Sequence, residues 1–244
     1  VAIAAIDTAL VVGTNGYPYL FQGASPLSIT GQKLSSVQQA CVSARSMVAL
    51  DGLVLYASPD GLVGVGADGG HLVTESLITR EQWQTLRPET MRAWYSEGKY
   101  VALTDSHGFV FDPKSGDFRW LSGRWDAAVP DMQMDALMIA KGTALFKWRG
   151  GSKALTMQWR SKLFVLPRWQ RISCAKVTAD DTTQVGIALR VDGEEVFRLP
   201  IGQVPSTGFR LPPLRGERWQ IEVEGRCVVG RITLGGSMAE VSLQ

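Results

Sequence analysis

The chain has 244 residues, of which 45% are apolar and 20% charged, and its formal net charge is +2. A chain of this length buries about 70–75% of its unfolded surface, so it can fold as one large or two small domains without a metal or a disulfide. The composition excludes a disordered chain. The longest apolar runs fall far short of the roughly 18 residues that a membrane-spanning helix needs, so we expect no membrane span.

The chain begins at Val1, without a methionine or the features of a secretory signal, which predicts a mature, trimmed or partial product. Three cysteines lie far apart: Cys41, Cys174 and Cys227. We expect them to be buried free thiols in a reducing compartment. The two histidines, His71 and His107, adjoin glycines in turn-like sequence. A zinc site or a nucleophile–histidine pair would have to use one of them, so we predict no catalytic residue, no metal site and no cofactor.

Four stretches share a plan of three short apolar strands joined by turns: Ala9–Thr30, Gly52–Thr74, Lys99–Leu121 and Ala136–Trp159. The first turn of each contains a glycine at the same place: Gly16, Gly61, Gly108 and Gly142. Their separations bracket the roughly 40–50 residues of a β-propeller blade, although other all-β proteins also have short strands at regular spacing. We predict a propeller-like repeat domain over residues 1–167, with turns in equivalent positions.

Two further features complete the predicted architecture. Thr79 and Gln82 have the spacing of a capping box and Pro88 follows, which indicates a short inserted helix near residues 79–87. From Val185 to Val191, apolar residues alternate with small or polar ones, as in an antiparallel sheet with one wet face. We therefore predict an all-β protein, with propeller-like blade repeats followed by a small antiparallel β-sandwich at residues 168–244.

Charge is unevenly distributed along the chain. Residues 136–179 hold nine basic and no acidic residues, whereas residues 51–135 hold seven basic and thirteen acidic ones. The candidate interaction surface in the basic segment comprises Lys147, Arg149, Lys153, Arg160, Lys162, Arg168 and Arg171. Candidate aromatic contacts lie among them: Trp148, Trp159 and Trp169. Such a segment could contact DNA phosphates, meet an acidic protein surface, or be the solvated face of strands. We favour an interface between subunits, because the acidic stretch lies in the same chain.

Enzymatic motifs are weak. The segment from Gly64 to Gly69 matches GxGxxG, but an apolar strand follows it where a phosphate-binding helix would be needed. A carboxylate-based hydrolase at the centre of a propeller would have to use Asp60, Asp105 and Asp112. The sequence instead favours a binding or structural protein.

Five segments resemble a family of uncharacterised structural proteins of tailed bacteriophages and prophages: Gln39–Val48, Val54–Val63, Ile78–Trp83, Gly108–Pro113 and Trp159–Lys162. The resemblance covers most of residues 9–175. It implies a non-enzymatic virion component, such as a propeller-bearing tail nozzle or hub, assembled in the bacterial cytoplasm. The implied partners are copies of the chain in a ring-like homo-oligomer and other virion tail proteins. Non-specific contact with translocating DNA is a further implied interaction.

The aromatic residues of the chain also fit a different function class, a carbohydrate-binding module. Eight tryptophans and five tyrosines could supply stacking platforms for sugars in a carbohydrate-binding β-module at a fibre or tail tip. Four of the indoles lie near predicted turns or strand ends: Trp120, Trp125, Trp159 and Trp169. The competing interpretation places these rings inside the blades.

Overall fold

The computed structural model describes residues 1–7, 9–25, 27–152 and 154–242, without the side chains of 167–171 and 214. The chain divides into two compact units, Val1–Gly150 and Gly151–Gln244. The division follows residue 150 rather than residue 167, because a strand expected in the last repeat pairs with the C-terminal sheet.

The first unit contains four antiparallel sheets, which we call blades 1 to 4. Blade 1 comprises β1 (Ala2–Ile6), β2 (Ala9–Gly13), β3 (Tyr19–Gln22) and β4 (Thr30–Lys33). Blade 2 comprises β5 (Val48–Leu50), β6 (Leu53–Ala57), β7 (Leu62–Gly66) and β8 (Gly69–Leu72). Blade 3 comprises β9 (Arg92–Ser96), β10 (Lys99–Leu103), β11 (Gly108–Asp112) and β12 (Asp117–Leu121). Blade 4 comprises β13 (Ala127–Asp131), β14 (Ala136–Lys141) and β15 (Ala144–Lys147). Each sheet is a meander in chain order, as in a propeller blade.

The predicted fold class is confirmed, but the strand plan of the repeats was incomplete. The turns predicted as equivalent all join the second and third strands of a blade. Each blade also has a first strand that the three-strand plan omitted. The strand expected at the end of the fourth repeat, β16 (Met157–Arg160), instead pairs with β20 (Phe209–Gly225) of the second unit.

A short helix, α1 (Arg80–Thr85), lies between blades 2 and 3, and the predicted capping box is present. The hydroxyl of Thr79 accepts the backbone N–H of Gln82 at 3.3 Å, and the Gln82 side chain accepts that of Thr79 at 3.1 Å. The helix carries the fully buried Trp83, whose indole N–H donates to the Ser58 carbonyl oxygen at 2.8 Å. Two 3-10 helices, Ala44–Ser46 and Pro88–Thr90, precede β5 and β9.

Successive blades pack through apolar cores, and alternation along each strand assigns residues to the two blade faces. In β6, Val54 and Tyr56 join the core shared with blade 1, whereas Leu55 and Ala57 join the core shared with blade 3. Blade 3 then meets blade 4 through a third core that includes Val101. Each inner blade therefore has an apolar, buried surface on both sides.

The second unit is one antiparallel sheet in the order β19-β18-β20-β17-β21, with β16 also paired to β20. Its other elements are β17 (Phe164–Ala179), β18 (Val185–Val191), β19 (Glu194–Leu199), β21 (Val229–Gly235), a 3-10 helix at Thr182–Gln184 and α2 (Met238–Ser242). The long strand β20 pairs with β17 over its first half and with β18 over its second. Val177 of β17 and Ile187 of β18 share one core. The two halves of this one sheet therefore face each other across a shared core and form the predicted sandwich.

Candidate functional site

The outer face of blade 1, directed away from blade 2, is apolar. Cross-strand pairing places its apolar members in two rows: Ile3, Val12 and Tyr19 in one, which ends at Lys33, and Ala5, Leu10 and Phe21 in the other, which ends at Gly31. Their neighbours along the strands, such as Val11 and Leu20, point into the core shared with blade 2. Ile3 is 63% exposed. Blade 1 therefore presents an apolar sheet face to solvent.

The outer face of blade 4, directed away from blade 3, has the same character. One row consists of Ala127, Ala140 and Leu145, and a second row consists of Val129, Met138 and, at its end, the exposed Lys147. Ala128 and Ile139, which alternate with these residues, pack against blade 3 instead. Leu145 is 73% exposed. Contiguous exposed apolar surface is uncommon on monomers and marks sites of protein contact.

The candidate basic residues of blade 4 have different surroundings. Lys147 ends β15 and is exposed. Trp148 packs edge-on against Trp125, with ring centroids 5.6 Å apart, and so contributes to the core between blades 3 and 4. Arg149 forms an ion pair with Glu97. Glu97 belongs to the acidic stretch that we expected Arg149 to meet in another subunit, so its partner lies within the chain.

Arg160 also has an acidic partner in the same chain. Its Nη2 lies 2.6 Å from Glu222 Oε1, and the same oxygen lies 2.7 Å from Arg190 Nε. Arg198 contacts both carboxylate oxygens of Glu195, at 2.8 and 2.7 Å. The hydrogen bond from Arg190, followed by the charge of Arg160, lowers the pKa of Glu222, and Arg198 lowers the pKa of Glu195. The charges of this network compensate one another.

This network borders a groove of about 390 Å³ in the second unit. Gly186 and Ala188 face Glu224 and Glu222 across the β18–β20 ladder, and the Glu224 side chain packs closely over Gly186. The lining residues are Gln158, Trp159, Arg160, Gly186, Ile187, Ala188, Arg198, Glu222, Val223 and Glu224. Arginines and glutamates stand together here, so the groove does not offer the excess positive charge that phosphates require.

The remaining candidates of the basic segment do not assemble into one described surface. Trp159 is 50% exposed, and alternation along β16 directs its side chain to the opposite face from that of Arg160, although both residues border the groove. Lys162 is exposed, with Nζ 5.8 Å from the centroid of the Phe164 ring. Lys153 lies outside the described residues, as do the side chains of Arg168, Trp169 and Arg171. Of the predicted arginines with described side chains, Arg160 borders the groove and Arg149 does not.

Sequence reasoning missed a repeated hydroxyl in the turns. Thr14, Ser58 and Thr104 follow the second strands of blades 1, 2 and 3. Each hydroxyl donates to the carbonyl oxygen three residues on, at 2.7, 2.8 and 3.1 Å, and accepts the N–H two residues on. These hydroxyl residues could have been identified in the sequence, because their spacing follows that of the turn glycines.

The groove network was also missed as a site, although its strands were recognised. Gln220, Glu222 and Glu224 alternate with apolar residues in β20, and Gly186, Ala188 and Arg190 do so in β18. That pattern identifies a wet face but does not identify which residues meet across it.

The acids considered for a hydrolase are held in separate contacts. Asp60 accepts from Gln39 Nε2 and pairs with Arg80, both at 2.7 Å. Asp105 lies 3.6 Å from Arg87. The Asp112 carboxylate accepts a hydrogen bond from Lys99 Nζ at 2.6 Å. This hydrogen bond is the main cause of the lowered pKa of the Asp112 carboxyl group. Over the described ranges, no group of three or more histidines, cysteines and acids could hold a metal ion.

The remaining candidates are the two histidines and the three cysteines. His71 is exposed, and His107 contacts Trp120 edge-on at a centroid distance of 5.7 Å. All three cysteines are free, as predicted, but only Cys41 and Cys174 are buried, and Cys227 is partly exposed. Burial raises the pKa of the Cys41 thiol. In the described part of the chain, no helix has the length and apolar character to cross a membrane.

Comparison with known proteins gives little beyond this geometry. No family model matches the chain, and no curated protein matches it. Among solved structures, it is similar to an exo-β-1,3-galactanase from Phanerochaete chrysosporium, at 11% identity and a TM-score of 0.31. The similarity covers 96% of this chain and 68% of the galactanase chain. A TM-score this low supports no inference about fold or activity.

Proposed function

We propose that this chain is a non-enzymatic structural protein of a tailed-phage virion, a nozzle-like or hub-like tail component. It works through contacts with its own copies and with neighbouring tail proteins. The observation that carries the proposal is the pair of exposed apolar outer faces on blades 1 and 4. A protein that acts by assembly needs such surfaces, because burial of apolar area drives association.

The virion assignment is supported by the resemblance of residues 9–175 to phage and prophage structural proteins. On this basis we propose that the protein resides in the virion after assembly in the bacterial cytoplasm. The contacts of Arg149 with Glu97 and of Arg160 with Glu222 leave these guanidiniums engaged within the chain. Any non-specific contact with translocating DNA is therefore proposed for exposed lysines away from the outer blade faces, such as Lys162.

Purified particles test the assignment. Quantitative mass spectrometry of virions from the host lysate should find the chain at a fixed copy number per particle. Particles from a phage or prophage lacking the gene should be defective in tail assembly. A chain absent from purified particles, with normal tails in its absence, would overturn the proposal.

Carbohydrate binding is the second candidate function, because two candidate indoles are accessible. Trp120 is 54% exposed and Trp159 is 50% exposed, whereas Trp125 is buried between blades 3 and 4. Exposed indole faces can stack on sugar rings. A glycan array should then give a signal that is lost in Trp120→Ala or Trp159→Ala and kept in the buried-site variant Trp125→Phe. An array without any signal removes this candidate.

A further inference from the structure

We infer that the outer face of blade 4 in one copy of the chain docks on the outer face of blade 1 in a second copy. The inference rests on the proposed function, because it specifies which surfaces mediate self-assembly. The apolar members of the two faces are Ile3, Ala5, Leu10, Val12, Tyr19 and Phe21 on blade 1, and Ala127, Val129, Met138, Ala140 and Leu145 on blade 4.

Within the chain, each blade packs on the next in the same orientation. The residue just before each turn hydroxyl, represented by Ala57 in blade 2 and Leu103 in blade 3, contributes to the core shared with the following blade. The residue one position earlier, Tyr56 or Ala102, contributes to the core shared with the preceding blade. Equivalent positions thus take equivalent faces from one blade to the next.

The exposed faces extend this rule. In blade 1, Gly13 adjoins Cys41 and Met47 in the core with blade 2, while Val12 lies on the outer face. Blade 1 therefore exposes the kind of face that receives a preceding blade. Blade 4 packs on blade 3 through Ile139 and exposes the kind of face that receives a following blade.

A second copy of the chain is the partner that supplies the missing neighbour on both sides. Its blade 4 can occupy the place of a preceding blade against blade 1, which continues the blade-to-blade packing already present in the chain. Such an interface joins unlike surfaces, so it either closes into a ring or propagates. Apart from Lys33 and Lys147, which end one row on each face, the paired residues of both faces are apolar or glycine, in agreement with burial in the assembly.

Two substitutions separate this arrangement from other modes of assembly. Ile3→Asp places a charge on the outer face of blade 1, and Leu145→Asp places one on the outer face of blade 4. Both side chains are exposed, so the fold should tolerate the changes. Leu155→Asp, at an exposed residue of the second unit with 85% accessibility, is the matched control.

Light scattering of the full chain should give a mass above the 26.6 kDa of one copy for the wild type and for Leu155→Asp. Each face variant alone should be monomeric. An equimolar mixture of Ile3→Asp and Leu145→Asp should form a dimer of twice that mass, because one intact face remains on each chain. Formation of this dimer also demonstrates that both variants are folded.

Three results would overturn the inference. They are a monomeric wild type, a single face variant that still assembles alone, and a mixture that stays monomeric although both variants keep the wild-type circular dichroism spectrum. If circular dichroism reports misfolding of either variant, Leu10→Asp and Val129→Asp repeat the experiment on the same faces. A monomeric wild type that is present in purified virions would refute this interface and leave the proposed function standing.

Discussion

Thr104 illustrates how one hydroxyl holds a blade turn. It donates to the His107 carbonyl oxygen at 3.1 Å and accepts the N–H groups of Ser106 and His107 at 3.2 and 3.0 Å. Because Thr104 is almost fully buried, Thr104→Ala should lower the free energy of unfolding by about 1–3 kcal/mol. Thr104→Ser, which keeps the hydroxyl, should lose much less. Urea unfolding of the two variants measures the difference, and equal losses would show that the methyl group matters instead.

Glu222 gives a pH-dependent prediction at the same scale. Arg190 and Arg160 lower its pKa in the folded state, so its contribution to stability is present above the pKa of the unfolded chain and is lost as pH falls through the folded value. Glu222→Gln should therefore reduce the urea midpoint at neutral pH and have a smaller effect near pH 3. Glu217→Gln, an exposed acid on the same strand, is the control. A reduction independent of pH would contradict the electrostatic explanation.

Residue-level contacts were predictable only where they are local. The capping box of Thr79 and Gln82 was visible in the sequence, because its partners lie three residues apart. The pairs Arg149–Glu97 and Arg160–Glu222 were not visible, because the fold brings their segments together. Charge counting identified basic and acidic stretches, but it could not distinguish a partner within the chain from one in another subunit.

Strand prediction succeeded for the strands on either side of the turn glycines and omitted the first strand of each blade. Weak composition accounts for β13, which contains Pro130, but not for β1, which has two isoleucines, or β9, which contains Trp94 and Tyr95. The sequence of β16 does suit a strand. Its sheet could not be predicted, because its partner β20 lies far along the chain.

Gly216 in β20 is closely packed against the end of β18 and the residue that follows it. A Cβ atom at this position would overlap the Val191 side chain and approach Asp192, and the Gly216 carbonyl accepts the Trp219 indole N–H at 2.9 Å. We expect Gly216→Ala to destabilise the second unit by about 1–3 kcal/mol through overpacking. Gly230→Ala in β21, where a Cβ meets only ordinary contact at 3.7 Å, is the control. Equal unfolding midpoints in urea for both variants would refute this explanation.

For the whole molecule, assembly through blades 1 and 4 links stability to protein concentration. A partner that binds only the folded chain stabilises it, so the wild-type urea midpoint should rise over a roughly hundredfold increase in concentration. Leu145→Asp, which blocks one face, should show a midpoint independent of concentration. A constant wild-type midpoint across this range would argue against coupled folding and assembly.

The pairing of β16 with β20 also affects the order of folding. Blades 1 to 4 are meanders of neighbouring strands, so their contacts close short loops and can form early. Met157 pairs with Gly225, and this contact closes a much longer loop. During synthesis the blades can therefore fold while the ribosome is still making the second unit. The groove between β16 and β18 cannot form until the last residues of β20, which pair with both strands, have left the ribosome.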